Sequence, residues 1–108
     1  MSHITTHILD ASLGRPAADV RVELQDAAGG AIAEGRTNAD GRIPDLGPEQ
    51  LPVGDYRLRF SIGEYFARSG TPAFYPAVSI DFTVADTAQH YHVPLLISPF
   101  AYSTYRGS

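Results

Sequence analysis

The chain has 108 residues, the size of one domain, and its 44% hydrophobic and 19% charged content is typical of a globular protein. Eight basic and twelve acidic residues give a formal net charge of −4, which disfavours binding to nucleic acid or to an anionic membrane surface. The lack of cysteine excludes disulfides and Cys-ligated zinc, and no apolar run reaches the roughly 18 residues of a membrane span. We therefore predict a single domain over residues 1–108 and, with no recognisable secretory signal, a cytoplasmic location.

Polar and apolar residues alternate along most of the chain, a pattern typical of strands with one buried and one solvent-facing side. The alternation begins at residues 4–9 and recurs at residues 20–24, 56–62, 78–84 and 91–97. Turn-forming residues separate these runs, and such alternation favours antiparallel sheets. We therefore predict an all-β fold, a two-sheet antiparallel sandwich of about eight short strands.

One segment of the chain lacks this alternation. Residues 63–69, with the sequence GEYFARS, show no period of two, and they are followed by Gly70, a residue type that commonly ends helices. The segment therefore predicts one short helix within the sandwich.

The first and last long strands of the predicted sandwich carry the histidines. Their outer faces, the faces away from the core, carry His3, Thr5, His7 and Leu9 in the first strand and His90, His92, Pro94, Leu96 and Ser98 in the last. His7 and His92 are therefore both predicted to point away from the core. Because Leu9 and Leu96 make the same face partly apolar, we expect something to cover it, such as another subunit.

Four histidines, His3, His7, His90 and His92, are the side chains best suited to proton transfer at neutral pH. The HYH sequence at 90–92 also places two imidazoles on one side of a strand, as a metal site would. No cysteine or nearby carboxylate offers a third ligand, so no metal is predicted. His3 and His90 are expected to have no functional role. The sequence contains no nucleophile elbow, phosphate loop or dinucleotide fingerprint.

The end of the chain, YSTYRGS at residues 102–108, is strand-like and rich in hydrogen-bond donors, whereas chain termini usually fray. Two interpretations remain open. The segment is either a final edge strand with a polar tail, or it places the Tyr105 hydroxyl, the Arg106 guanidinium and the Ser108 carboxylate in a site.

Three separated motifs resemble those of the transthyretin-like family. They are HILDA at 7–11 with GRPA at 14–17, TNADGR at 37–42, and YHVPLLISPF at 91–100 running into the terminal YSTYRGS. The resemblance spans nearly the whole chain, and the terminal YRGS resembles the enzyme branch of the family. It implies a transthyretin-like (prealbumin-like) sandwich that assembles as a homotetramer, a dimer of dimers, with active sites where the dimers meet.

The resemblance also implies an activity. Enzymes of this branch hydrolyse 5-hydroxyisourate to 2-oxo-4-hydroxy-4-carboxy-5-ureidoimidazoline in urate catabolism, and they need no cofactor. Tyr105 and the terminal Ser108 would complete the hydrogen bonds to this substrate. Arg106 would either bind the substrate or anchor the tail.

The remaining implied site residues are His7, Arg42 and His92. The two histidines would hold and deprotonate the attacking water, although the sequence does not say which is the base. Arg42 would bind the purine oxygens and the developing oxyanion. The alternative is a non-catalytic small-molecule carrier, but the vertebrate hormone-carrying transthyretins have lysine, glutamate and threonine at these three positions and lack the terminal YRGS.

Overall fold

The computed structural model describes residues 2–108, which form eight strands and one helix. In chain order these are β1 (Ile4–Asp10), β2 (Arg15–Pro16), β3 (Arg21–Asp26), β4 (Ala31–Arg36), β5 (Gly54–Phe60), α1 (Ile62–Arg68), β6 (Val78–Val84), β7 (Tyr91–Ser98) and β8 (Ala101–Thr104). The predicted sandwich with one short helix is confirmed, and α1 begins one residue earlier than the sequence suggested. No helix in residues 2–108 is long and apolar enough to cross a membrane.

The two four-stranded sheets have the orders β2-β1-β7-β8 and β4-β3-β5-β6. Neighbouring strands are antiparallel except for β1 and β7, which run parallel. This pair differs from the antiparallel expectation because alternation reports which face of a strand is buried and not its direction. The parallel register places Thr5 beside His92 and His7 beside Pro94. The two segments that carry the histidines therefore lie side by side.

The core lies between the inner faces of the two sheets. The sheet of β1 and β7 contributes Ile4, Ile8, Tyr91, Val93, Leu95 and Ile97, and the opposite sheet contributes Val22, Leu24, Leu58 and Phe60. Helix α1 adds Ile62 and Phe66, which are also buried. Since each large apolar side chain contributes about 1.5–3 kcal/mol when fully buried, this layer is the main source of stability. It leaves the outer face of the β1–β7 pair to carry polar groups.

The turn after β1 is held by the buried carboxylate of Asp10. Its Oδ1 accepts hydrogen bonds from the backbone nitrogens of Ser12 and Leu13 and from the Ser12 hydroxyl, and its Oδ2 accepts one from the Tyr65 hydroxyl at 2.7 Å. Burial raises the pKa of Asp10, but these hydrogen bonds outweigh it and bring the pKa below the ordinary 3.8. Burial and the bond to Asp10 raise the pKa of Tyr65 to about 12. The pair therefore ties α1 to the end of β1.

The sequence pattern placed His3 on the solvent-facing side of the first strand, and this prediction is wrong. Its side chain is buried before the start of β1. Its Nε2 donates to the carbonyl of Gln89 at 2.6 Å, and its Nδ1 accepts from the backbone nitrogen of Leu51 at 2.8 Å. His3 thus joins three segments of backbone.

Candidate active site

The TNADGR motif is a turn that places Arg42 against β1. The side-chain oxygen of Asn38 accepts hydrogen bonds from the backbone nitrogens of Asp40 and Arg42 at 2.9 and 3.1 Å. Gly41 has a φ of +76°, and a Cβ there would collide with the carbonyl oxygen of Ile8, so only glycine fits. The Gly41 carbonyl accepts from the backbone nitrogen of Ile8 at 2.8 Å. As a result Arg42 forms an isolated antiparallel bridge with His7.

A cleft of about 580 Å³ opens on the outer side of the β1–β7 pair. Its lining residues are Thr5, Thr6, Asn38, Arg42, Ile43, Pro44, His90, His92 and Ser108. Three predicted site residues, Arg42, His92 and Ser108, therefore line one cavity although they are far apart in the sequence. The fourth, His7, is bridged to Arg42 through the backbone.

The last residues of the chain reach this cleft by folding back over His92. The backbone nitrogen of Gly107 donates to the carbonyl of His92 at 2.9 Å, forming an isolated antiparallel bridge beyond the end of β8. A Cβ on Gly107 would overlap the Cδ2 atom of the His92 ring and lie 3.2 Å from Pro94 Cγ. The absence of a side chain at Gly107 therefore allows the tail to lie on the ring and Ser108 to reach the cleft. The tail also accounts for the burial of Pro94, which the strand pattern placed on the exposed face.

The charges around the cleft favour a neutral imidazole at His92. Burial lowers the pKa of His92 below its ordinary 6.5, and the positive charges of Arg42, His7 and His90 lower it further. His92 is therefore neutral at pH 7 and able to accept a proton.

Three polar groups at the site are available to a ligand. Within residues 2–108, the side chains of His7, Arg42 and Ser108 take part in no hydrogen bond or ion pair. A guanidinium held beside two imidazoles can bind electron-rich oxygens and stabilise a developing negative charge. The arrangement therefore suits polar addition of water to a carbonyl.

Two of the predicted site residues, Tyr105 and Arg106, do not line this cleft. They line a second cavity of about 310 Å³ between the two sheets beside β6, and His92 lines both cavities. The Arg106 guanidinium lies 4.6 Å from the centre of the Tyr91 ring and donates a hydrogen bond to the side-chain oxygen of Gln89 at 2.9 Å. Within one chain, Arg106 thus anchors the tail, which is one of the two roles the sequence left open.

The structure also shows a residue that the sequence did not single out. The Thr5 hydroxyl lies 2.8 Å from Nδ1 of His92 and 2.8 Å from Nε2 of His90. Strand periodicity places Thr5 on the outer face, but only the parallel register reveals its neighbours. The same contact gives His90, which was expected to be inert, a place in the cleft. Among residues 2–108 no group of three or more His, Asp or Glu side chains is arranged to hold a metal ion.

The chain has the architecture of a transthyretin-like protein. It contains two four-stranded sheets, a short helix after the fifth strand, and a cleft with imidazole and guanidinium groups on the outer face of one sheet. The sequence model of the HIUase/Transthyretin family matches residues 4–107, and the chain belongs to this family.

Both known sequences and solved structures support this membership. The chain is 51% identical over 115 aligned positions to the 5-hydroxyisourate hydrolase of Caulobacter vibrioides, with 100% of each chain covered. It superposes on the structure of Klebsiella pneumoniae 5-hydroxyisourate hydrolase with a TM-score of 0.90 at 44% identity, covering 100% of this chain and 94% of that one. Sea bream transthyretin in complex with thyroxine superposes with a TM-score of 0.89 at 35% identity, covering 96% and 93%. The fold is therefore shared with proteins named as hydrolases and with a thyroxine-bound transthyretin, so the fold alone does not identify the activity.

Proposed function

We propose that this chain is a hydrolase that converts 5-hydroxyisourate to 2-oxo-4-hydroxy-4-carboxy-5-ureidoimidazoline in urate breakdown, in the cytoplasm and without a cofactor. The observation that carries the proposal is the cleft that Arg42, His92 and Ser108 share, with His7 bridged to Arg42. Relatives that bear the name 5-hydroxyisourate hydrolase and cover the whole chain support it.

The proposed reaction is attack of water on the ring carbonyl, followed by opening of the amide bond. His92 and His7 hold the water, and His92 is available as the proton acceptor because its lowered pKa keeps the ring neutral at pH 7. The imidazolium ion that forms then returns this proton to the leaving nitrogen. The proton that water loses is thus the proton that the leaving nitrogen gains.

Arg42 supplies the electrostatic part of the mechanism. Its guanidinium carries a permanent charge and several donors, and it takes part in no ion pair within residues 2–108. It therefore binds the purine-derived oxygens and stabilises the oxyanion of the tetrahedral intermediate. The terminal Ser108, which lines the same cleft, completes the hydrogen bonds to the substrate.

We also propose that the active enzyme is a homotetramer, a dimer of dimers, whose sites lie where two outer faces meet. Arg42 is exposed and His7 and His92 are only half-buried in one chain, although the chemistry requires them to be shielded from bulk water. A second subunit over this face would provide that shielding. Sedimentation equilibrium of the purified protein tests the assembly, and a monomer with full activity would contradict it.

The activity is tested by following the absorbance of freshly generated 5-hydroxyisourate with and without the purified protein. The proposal predicts accelerated decay and formation of the ring-opened product, with His7→Ala as the inactive control. A carrier would instead bind a thyroid-hormone-like ligand tightly and leave the decay rate unchanged. That second result would overturn the proposal.

A further inference from the structure

The Thr5 hydroxyl connects the histidine that lines the cleft with an exposed histidine. Its Oγ1 atom lies 2.8 Å from Nδ1 of His92, which is half-buried, and 2.8 Å from Nε2 of His90, which is exposed. Thr5 is the neighbour of His92 in the parallel register of β1 and β7, and His90 directly precedes β7. The contact is therefore built into the pairing of two central strands.

A hydroxyl group carries one proton, so Thr5 can donate a hydrogen bond to only one of the two rings. At least one ring nitrogen must then carry a proton of its own and donate it to Thr5. The direction of these bonds decides which nitrogen of His92 is protonated, and so whether its Nε2 atom can act as a base.

We infer that Thr5 is a positioning residue whose hydroxyl accepts a hydrogen bond from the Nδ1–H group of His92 and donates one to Nε2 of His90, which leaves Nε2 of His92 unprotonated and able to act as the base. The inference deepens the proposed hydrolysis and rests on it for its catalytic consequence. The hydrogen-bond directions themselves can be measured without substrate.

Among the groups that line the cleft, the Arg42 guanidinium favours this direction, whereas the terminal carboxylate of Ser108 can accept a hydrogen bond from an N–H group. Arg42 lines the same cavity and has only hydrogen-bond donors, so an unprotonated Nε2 of His92 is favoured there over an N–H group. In the opposite arrangement, Thr5 would donate to Nδ1, and Nε2 would carry a proton and could not accept one from water.

The same bonds also support the step after proton transfer. When His92 takes a proton from water, its Nδ1–H remains bonded to Thr5 and becomes a charge-assisted donor. Thr5 remains bonded to His90, so the chain of hydrogen bonds strengthens without any rearrangement.

The test combines a spectroscopic measurement with kinetics. Side-chain nitrogen NMR of the full chain, with the histidines assigned from single His→Gln variants, should show His92 protonated at Nδ1 and unprotonated at Nε2. Thr5→Val keeps the shape of the side chain and removes the hydroxyl, so it should shift His92 toward the form protonated at Nε2. Thr5→Ser should restore the wild-type form.

In the hydrolysis assay, Thr5→Val should lower kcat about tenfold, as expected for the loss of one hydrogen bond, with little change in KM. Thr5→Ser should restore most of the rate. The matched control is Thr71→Val, which removes a hydroxyl that lies 2.8 Å from the Ser69 hydroxyl beyond the end of α1 and should leave both the spectrum of His92 and kcat unchanged.

Two results would overturn the inference: a wild-type spectrum with Nδ1 of His92 unprotonated, or Thr5→Val with an unchanged His92 spectrum and unchanged kcat. A wild-type chain without hydrolytic activity would overturn the proposed function instead, because the spectrum reports the hydrogen bonds independently of turnover.

Discussion

The backbone nitrogen of Gly107 donates a hydrogen bond to the carbonyl of His92 across 2.9 Å, and this bond joins the end of the chain to the strand that carries the cleft imidazole. The tail and His92 therefore form one unit. A change in the position of either should therefore alter the position of the other, and the first two predictions rest on this coupling.

Gly107→Ala should disturb the site without unfolding the protein. The new Cβ would overlap the His92 ring at Cδ2, so either the ring must turn or the tail must move. Such overpacking typically costs about 1–3 kcal/mol, and we expect kcat/KM for hydrolysis to fall at least about tenfold. The control is Gly70→Ala, at a φ of +66° with no atom within 4 Å of the added Cβ, which should lower stability and leave the rate unchanged. Full activity of Gly107→Ala would show that the tail tolerates displacement.

An extension after Ser108 should strongly reduce activity. Ser108 lines the cleft, and an added peptide would remove its terminal carboxylate and compete for the same space. The same peptide attached to the N-terminus should be better tolerated. Hydrolysis rates of the two tagged proteins, and of the C-terminally tagged protein after proteolytic removal of the tag, provide the measurement. Equal rates for both tagged forms would show that Ser108 does not contribute to the active site.

His7→Ala and Arg42→Ala should abolish hydrolysis while leaving the fold intact. Neither side chain makes a hydrogen bond within residues 2–108, so little stability depends on them. Loss of one oxyanion donor typically lowers the rate about 100- to 1000-fold, and Arg42→Lys should recover only part of it because an ammonium lacks the planar fork. Arg59→Ala, an exposed arginine of β5 in the other sheet, is the matched control and should be fully active. Thermal melts of all variants separate the loss of activity from unfolding.

The pH dependence should report the lowered pKa of His92. Because burial and the neighbouring positive charges lower this pKa in the folded chain, the decrease of kcat/KM toward acid should occur at a lower pH than an unperturbed imidazole would give. The unfolded chain protonates His92 near pH 6.5 while the folded chain does not, so the unfolded state binds more protons and stability falls as pH drops below 6.5. His92→Gln should therefore lose less stability than the wild type between pH 7 and pH 5, as measured by denaturant unfolding at one protein concentration. Parallel stability curves for the two proteins would contradict the lowered pKa.

Tyr65→Phe should destabilise the fold without affecting the site. It removes a 2.7 Å hydrogen bond to the buried carboxylate of Asp10, and a bond to a charged group is worth about 2 kcal/mol. The pKa of Asp10 is lowered in the folded chain, so its contribution is present above pH 3.8 and is lost as the carboxyl becomes protonated at lower pH. The stability difference between the two proteins should accordingly shrink in acid, as checked by urea unfolding over a pH series. Ser69→Ala, which removes a hydroxyl on the exposed end of the α1 region, is expected to have a smaller effect.

Much of the fold could be predicted from the sequence because strand periodicity is a local property. The inner faces of β1 and β7 were identified correctly, and so was the helix before Gly70. The motif at 37–42 was also recognisable, since Asn38 and Gly41 form a turn almost entirely by themselves.

The composition of the site was predicted less completely. Arg42, His92 and Ser108 line one cleft, whereas Tyr105 and Arg106 line a neighbouring cavity that shares only His92 with it. A sequence pattern cannot distinguish these outcomes, because the direction of the tail after β8 depends on which backbone groups of β7 remain free to bond with it. His3 was misjudged for a similar reason: its two partners, Gln89 and Leu51, come from distant segments.

The sequence by itself determined which residues face the core, where the chain turns, and that two imidazoles and a guanidinium are available for chemistry. Only the tertiary structure decided that β1 and β7 lie parallel, and with it that Thr5 bonds to both His90 and His92. The physical reason is that burial repeats along each strand and can be recognised from neighbouring residues. The choice of partner strand, by contrast, depends on the packing of the whole chain, so contacts across strands appear only once all the elements are in place.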